Sequence, residues 1–163
     1  MDHLQRPHAF ITFLLLLIIL HPSHGEVGTS AQYGPPFLPT ACYGYDPGQF
    51  PSSNLFAAAG DGIWDNGAAC GRQYLVKCIS AAEPGTCVPE QVIQVRIVDF
   101  ALTTVSPASE DGTTMVLSDT AFGTIANFTA ASINIEFQQY FSLSLTHFFY
   151  SIFQKENDQN DRI

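Results

Sequence analysis

Apolar and polar positions alternate in short bursts along most of this chain, and turn residues separate the bursts. Over 72–79 the apolar side is carried by Tyr74, Val76 and Cys78, and over 91–98 by Val92, Ile93, Val95, Ile97 and Val98. Over 132–138 it is carried by Ile133, Ile135 and Phe137. A period of two sends successive side chains to opposite faces, so each burst predicts a β-strand. Two shorter apolar runs, 55–59 and 114–117, add strands, and the first stops at Gly60-Asp61-Gly62. Ser118 then supplies the hydroxyl that an N-cap needs and predicts one short helix over 119–126. Residues 34–53, rich in Pro, Gly and Tyr, predict a long ordered loop. Several short strands with a single short helix describe an all-β fold, a small barrel or sandwich.

The N-terminus follows another pattern. A polar start carrying Arg6 gives way to an apolar run over 9–20 that only Thr12 interrupts, then to Pro22 and the small residues of Ser23-His24-Gly25. These are the three parts of a secretory signal. As a helix the run spans about 18 Å against a hydrocarbon core of roughly 30 Å, so a cleaved leader over 1–25 is expected rather than an anchor. The domain is expected over 26–139. After it, 140–163 opens with an aromatic, apolar stretch and ends polar, departing from the pattern as read-through into non-coding sequence would. That stretch is too short for a membrane helix and not placed as a glycolipid-anchor signal would be.

Charge and cysteine usage narrow the chemistry. The chain carries a formal net charge of −9, and residues 26–139 hold only Arg72, Lys77 and Arg96 as basic side chains. Nucleic acid and anionic membrane both demand clustered Lys and Arg, so neither is expected as a partner. All five histidines (His3, His8, His21, His24, His147) fall outside 26–139, leaving no imidazole for a Ser-His-Asp triad or a zinc site. Four cysteines in an exported chain predict two disulfides, with three connectivities open. The sequential pairing, Cys42 with Cys70 and Cys78 with Cys87, is the simplest. Its loops would contribute about 3.6 and about 2.7 kcal/mol on the chain-entropy model. No metal and no cofactor are expected. Asn127-Phe128-Thr129 is an N-glycosylation sequon.

Longer stretches resemble a known family. Gly-Thr-Ser-Ala-Gln-Tyr-Gly-Pro-Pro (28–36), Thr-Ala-Cys-Tyr-Gly (40–44) and Ile-Trp-Asp-Asn-Gly-Ala-Ala-Cys-Gly-Arg-Gln-Tyr (63–74) are similar to the plant natriuretic peptides. These are also called EG45-like domain proteins and are small relatives of the expansin N-terminal domain. Val-Arg-Ile-Val-Asp (95–99), Thr-Thr-Met-Val-Leu-Ser (113–118) and Ile-Asn-Ile-Glu-Phe-Gln (133–138) continue the likeness in order. The resemblance implies a six-stranded double-psi β-barrel stapled by disulfides and supports the sequential cysteine pairing. It also implies an apoplastic, monomeric protein that signals in water and solute balance through a cell-surface receptor. The alternative it leaves is a cell-wall glycan binder of expansin type. Barwin-type defence proteins carry more cysteines.

Glycoside hydrolysis needs two carboxylates. Asp99 matches one acidic position of the expansin domain, but Val116 occupies the place of the second, in the expansins' His-Phe-Asp-Leu-Ser stretch. Ala31 stands where expansins have a Thr, while Tyr33 is kept. Asp61 and Asp65 are the alternative pair, and both lie in ordinary turn sequences. No catalytic residue and no enzymatic activity are expected. The resemblance implies a groove with Tyr33, Tyr43, Tyr45 and Trp64 near it and Asp99 on its floor, suited to stacking on sugars. Trp64 and Tyr74 equally suit core packing.

Overall fold

The structure, a computed structural model, describes residues 25–101 and 113–140; the leader and tail expected from the sequence lie outside this range, apart from Gly25 and Tyr140 at their edges. Six strands form it: β1 (Glu26–Tyr33), β2 (Phe56–Ala59), β3 (Gln73–Ser80), β4 (Val92–Phe100), β5 (Met115–Ser118) and β6 (Ser132–Tyr140). They close into a barrel in the order β1-β5-β2-β4-β3-β6. β1 runs parallel to β5 and β2 parallel to β4, and the remaining pairs are antiparallel. This is the double-psi barrel, and closure leaves no unpaired edge.

The interior holds Val76, Val95, Ile97, Met115, Leu117, Phe122, Ile125 and Ile135, each with no exposed surface. Burying such a side chain contributes about 1.5–3 kcal/mol. On β3 and β6 the outward positions are polar or partly open, so the period of two was visible. β2 and β5 are buried on both faces, which is why 55–59 and 114–117 read as continuous apolar runs. β1 gave little apolar signal, because two of its three buried positions are the small residues Ser30 and Ala31, with only Tyr33 large. Gly28 leaves room there for Thr114, whose Oγ1 a Cβ would strike.

Two short α-helices are present where one was expected. Helix α1 (Asp61–Trp64) occupies the segment read as a turn: the amides of Ile63 and Trp64 both donate to Gly60 O, at 3.1 and 3.0 Å. Gly60 is confined by Thr113 O, which any added Cβ would meet. Helix α2 (Asp119–Ile125) starts at the expected cap, with the Ala121 amide donating to Ser118 Oγ at 3.1 Å. It pushes Ala121, Phe122 and Ile125 into the barrel.

The cysteines pair sequentially, Cys42 with Cys70 and Cys78 with Cys87. The first ties the 34–55 loop to the segment entering β3. The second ties the end of β3 to Cys87, which itself bridges to Ala126 beyond α2.

Ser118 has no exposed surface, and its hydroxyl also donates to Asn54 O at 2.6 Å, joining helix cap, strand and loop. Ser118→Ala is expected to cost about 1–3 kcal/mol, since it removes a cap and strands buried polar groups. Denaturant unfolding with an unchanged midpoint would contradict that role.

Candidate functional site

The register places four positions in one row across neighbouring strands. Ala31 of β1 pairs with Val116 of β5, Val116 with Ala58 of β2, and Ala58 with Asp99 of β4. A register shift between Ala57 and Ala58 brings Asp99 into this row. Three of the four side chains are aliphatic, and Asp99 is the sole carboxylate among them. The pattern of expansin positions that the sequence aligned on resemblance is thus one contiguous strip of sheet.

The strip is covered. Ala31, Tyr33, Phe56, Ala58, Val98 and Val116 belong to a second apolar cluster outside the barrel interior, with Phe37, Tyr43 and Phe50 of the loop packed on it. Phe56 is its hub. Phe37 meets it edge-on at 4.9 Å, Phe50 at 4.8 Å and Tyr33 at 6.1 Å between ring centroids. Such edge-to-face pairs each add about 0.5–1.5 kcal/mol beyond area burial.

Asp99 is 1 % exposed and acts as a fastener. Its Oδ1 accepts the Ala41 amide at 2.6 Å and the Phe100 amide at 2.8 Å, so it holds the loop next to Cys42 onto the sheet. Tyr33 is also buried, and among the described residues its hydroxyl has no hydrogen-bond partner. Burial first, then the nearby carboxylates of Asp99 and Asp119, push the Tyr33 phenol well above its ordinary value near 10.

Tyr33 and Asp99 are therefore brought together beneath the loop, and Tyr43 packs onto the same cluster from the loop itself. Tyr45 stands apart and is 79 % exposed. Trp64 is partly buried, packs against the interior cluster and stacks on Phe100 at 4.7 Å, 22° from parallel. Asp61 and Asp65 line a cavity of about 580 Å³ at one barrel end, along with Glu26, Arg72, Tyr74 and Gln139. Arg72 binds Asp65 at 2.5 Å in an exposed ion pair. Sequence reasoning missed this cavity because its walls come from four separated segments. The alternation on β3 and β6 marked Tyr74 and Phe137 only as inward-facing; they meet edge-on at 6.0 Å beside it. Among the described residues no three His, Cys, Asp or Glu side chains gather as metal ligands. No described helix is long and apolar enough to cross a membrane.

Asp99→Ala leaves two inward amides without an acceptor and is expected to cost on the order of 3 kcal/mol. Hydrogen exchange at Ala41 and Phe100 should accelerate together; unchanged protection would mean Asp99 does not hold the loop. Tyr33→Phe removes an unsatisfied buried hydroxyl and is expected to leave stability unchanged or raise it by about 1 kcal/mol. Its pH signature has a definite sign. The folded phenol titrates above the unfolded one, so wild-type stability is intact below about pH 10 and falls as pH rises past it. Tyr33→Phe should lose that component of the alkaline decline, and a drop in neutral-pH stability would instead reveal a partner for the hydroxyl.

A family model described as lytic transglycolase matches residues 57–137. An EG45-like domain containing protein of Citrus jambhiri is 37 % identical over 131 residues, covering 79 % of this chain and 92 % of the relative. EG45-like domain containing protein 2 of Arabidopsis thaliana is 30 % identical over 131 residues, covering 77 % and 92 %. Among solved structures, a Clavibacter michiganensis expansin mutant in complex with cellohexaose matches with a TM-score of 0.52 at 18 % identity, over 74 % of this chain and 51 % of the expansin. The apo form matches with the same TM-score at 17 % identity. This chain spans about half the length of those expansins, and at such identity the likeness speaks for the shared barrel. With the near-complete match to the plant relatives, the chain belongs to the EG45-like domain containing proteins, an expansin-related family.

Proposed function

We propose that this chain is a secreted, apoplastic plant protein that acts by binding rather than by bond cleavage, as a monomeric signal in water and solute balance received at a cell-surface receptor. The observation that carries the non-catalytic reading is the sealed row Ala31–Val116–Ala58–Asp99. An acid catalyst must come within hydrogen-bond reach of the glycosidic oxygen. Asp99 is instead turned to backbone amides under the loop, and Val116 offers no second carboxylate. The same reasoning applies to the transglycolase chemistry named in the family description. At the barrel end, the Asp65 carboxylate is engaged by the Arg72 guanidinium, so Asp61 and Asp65 do not present two unengaged carboxylates to a substrate.

Support for a signal over a wall platform comes from the surface. Of the five side chains assigned to a groove, only Tyr45 presents a largely open ring. A second reading, weak binding of a wall glycan, is favoured by the cellohexaose held by the bacterial expansin. Tyr45 and the barrel-end cavity, with its carboxylates, amide and guanidinium, would then supply the contacts.

Purified mature protein is expected to remain in solution over insoluble cell-wall polysaccharide and to bind plasma-membrane vesicles saturably, in a protease-sensitive way. Retention on the wall fraction without vesicle binding would replace the signalling reading by the glycan one. In the same preparation β-glucans and peptidoglycan should release no products above background, and robust turnover would overturn the non-enzymatic assignment.

A further inference from the structure

We infer that Asn127 carries an N-linked glycan, on a turn the fold presents at the barrel end opposite the cavity. This rests on the secretion proposed above. Asn127-Phe128-Thr129 is the single Asn-X-Ser/Thr sequence in the chain, so one glycan per molecule is implied.

A sequon is used only where the chain can take up the required conformation and the fold can then tolerate the sugar. Both conditions are met at this position. Asn127, Phe128 and Thr129 are all exposed, in the connection between α2 and β6. The Thr129 amide donates to Asn127 Oδ1 at 3.0 Å, closing an Asx turn. The side-chain oxygen is thereby engaged while Nδ2, the atom to be modified, donates to no described residue. Attachment at Nδ2 therefore breaks no bond of the fold. The backbone beneath is pinned independently: Asn127 N donates to Thr86 O at 2.9 Å and Gln32 Nε2 to Phe128 O at 2.8 Å. Phe128 lies over Gly123, whose missing side chain makes the space for its ring. The ring is still 57 % exposed, an apolar surface that a neighbouring sugar would shield.

The chemistry balances with a lipid-pyrophosphate-linked oligosaccharide as donor. A bond forms between Nδ2 and C1 of the first sugar, and the C1–O bond to the pyrophosphate breaks. The lipid pyrophosphate leaves, and one Nδ2 proton passes to a base of the transferring enzyme.

The position also fits ligand binding elsewhere. β6 starts at Ser132, paired with Ala31, and reaches the cavity near Phe137, paired with Glu26. Those registers stand about 17 Å apart along the strand. The glycan thus leaves the cavity open, and its neighbours are Thr86 and the Cys87–Ala126 bridge.

The full chain should be expressed in plant cells, both with its own leader and with a proven secretory leader ahead of residue 26, and read by intact mass before and after peptide N-glycosidase. The expected result is added mass that the enzyme removes, leaving Asp at 127. Asn127→Gln and Thr129→Ala should both abolish it, and Thr129→Ser should retain it, which separates acceptor chemistry from misfolding. Chain recovered from the medium with unmodified Asn127 overturns the inference and leaves secretion standing. Glycan on the version with the proven leader, while the native-leader version stays in the cytosol, supports the acceptor site and overturns the secretion reading alone.

Discussion

The structure depends on one constraint: β2 and β5 are apolar on both faces. A closed six-stranded barrel has room inside for only one side of each strand. Leu117 and Met115 fill that interior, so Val116, between them, must face outward with Ala58 and Ala31 beside it. Those outward groups can be buried only if another part of the chain covers them. The loop over 34–55 does so with Phe37, Tyr43 and Phe50 around Phe56. The fold therefore has two cores, one enclosed by the strands and one pressed between strands and loop. The loop is as much part of the packing as any strand.

A covering loop pays entropy for its order, and the fold meets that demand with a covalent and a polar tie. Cys42–Cys70 shortens the free loop, and Asp99 takes the Ala41 amide next to that cysteine. The same arrangement underlies the non-catalytic reading proposed for this chain. A carboxylate committed to two backbone amides, in a strip whose other members are Ala and Val, is a structural group. A carboxylate at position 116, which has no exposed surface, would be buried at a cost of several kcal/mol.

Most of the barrel was legible because outward positions on β3, β4 and β6 remain polar, which leaves the period of two in the sequence. Legibility failed where that contrast was missing. β1 packs through Ser30, Ala31 and Tyr33, and with only one large apolar residue among them it leaves no alternating trace of a strand. α1 is a single turn nucleated by Gly60, and Gly60-Asp61-Gly62 carries no helical periodicity to detect. At the site, residue types were readable but depth was not. Asp99 and Tyr33 could be picked out by resemblance, yet nothing in their own segments says that residues 37–50 lie over them. The cavity had no signal at all, since Glu26, Asp61, Arg72 and Gln139 meet only through barrel closure.

The covered strip has a consequence for where recognition occurs. If the outward face of β1, β5, β2 and the end of β4 is occupied by the chain's own loop, a partner is left the loop's exterior, the outward face of β3 and β6, or a barrel end. One end is plugged by α2, whose Phe122 and Ile125 have no exposed surface. The other holds the cavity between α1 and the last residues of β6, with carboxylates, a guanidinium and amides beside an aromatic pair. On the exterior, Tyr45 is the loop's most open ring. These two places differ in what they can accept: the cavity can surround a small polar group, whereas Tyr45 on a convex loop can only be one anchor of a broader surface. A receptor protein suits the second and a sugar or small solute the first, so the two functional readings correspond to two physically separate parts of the same barrel.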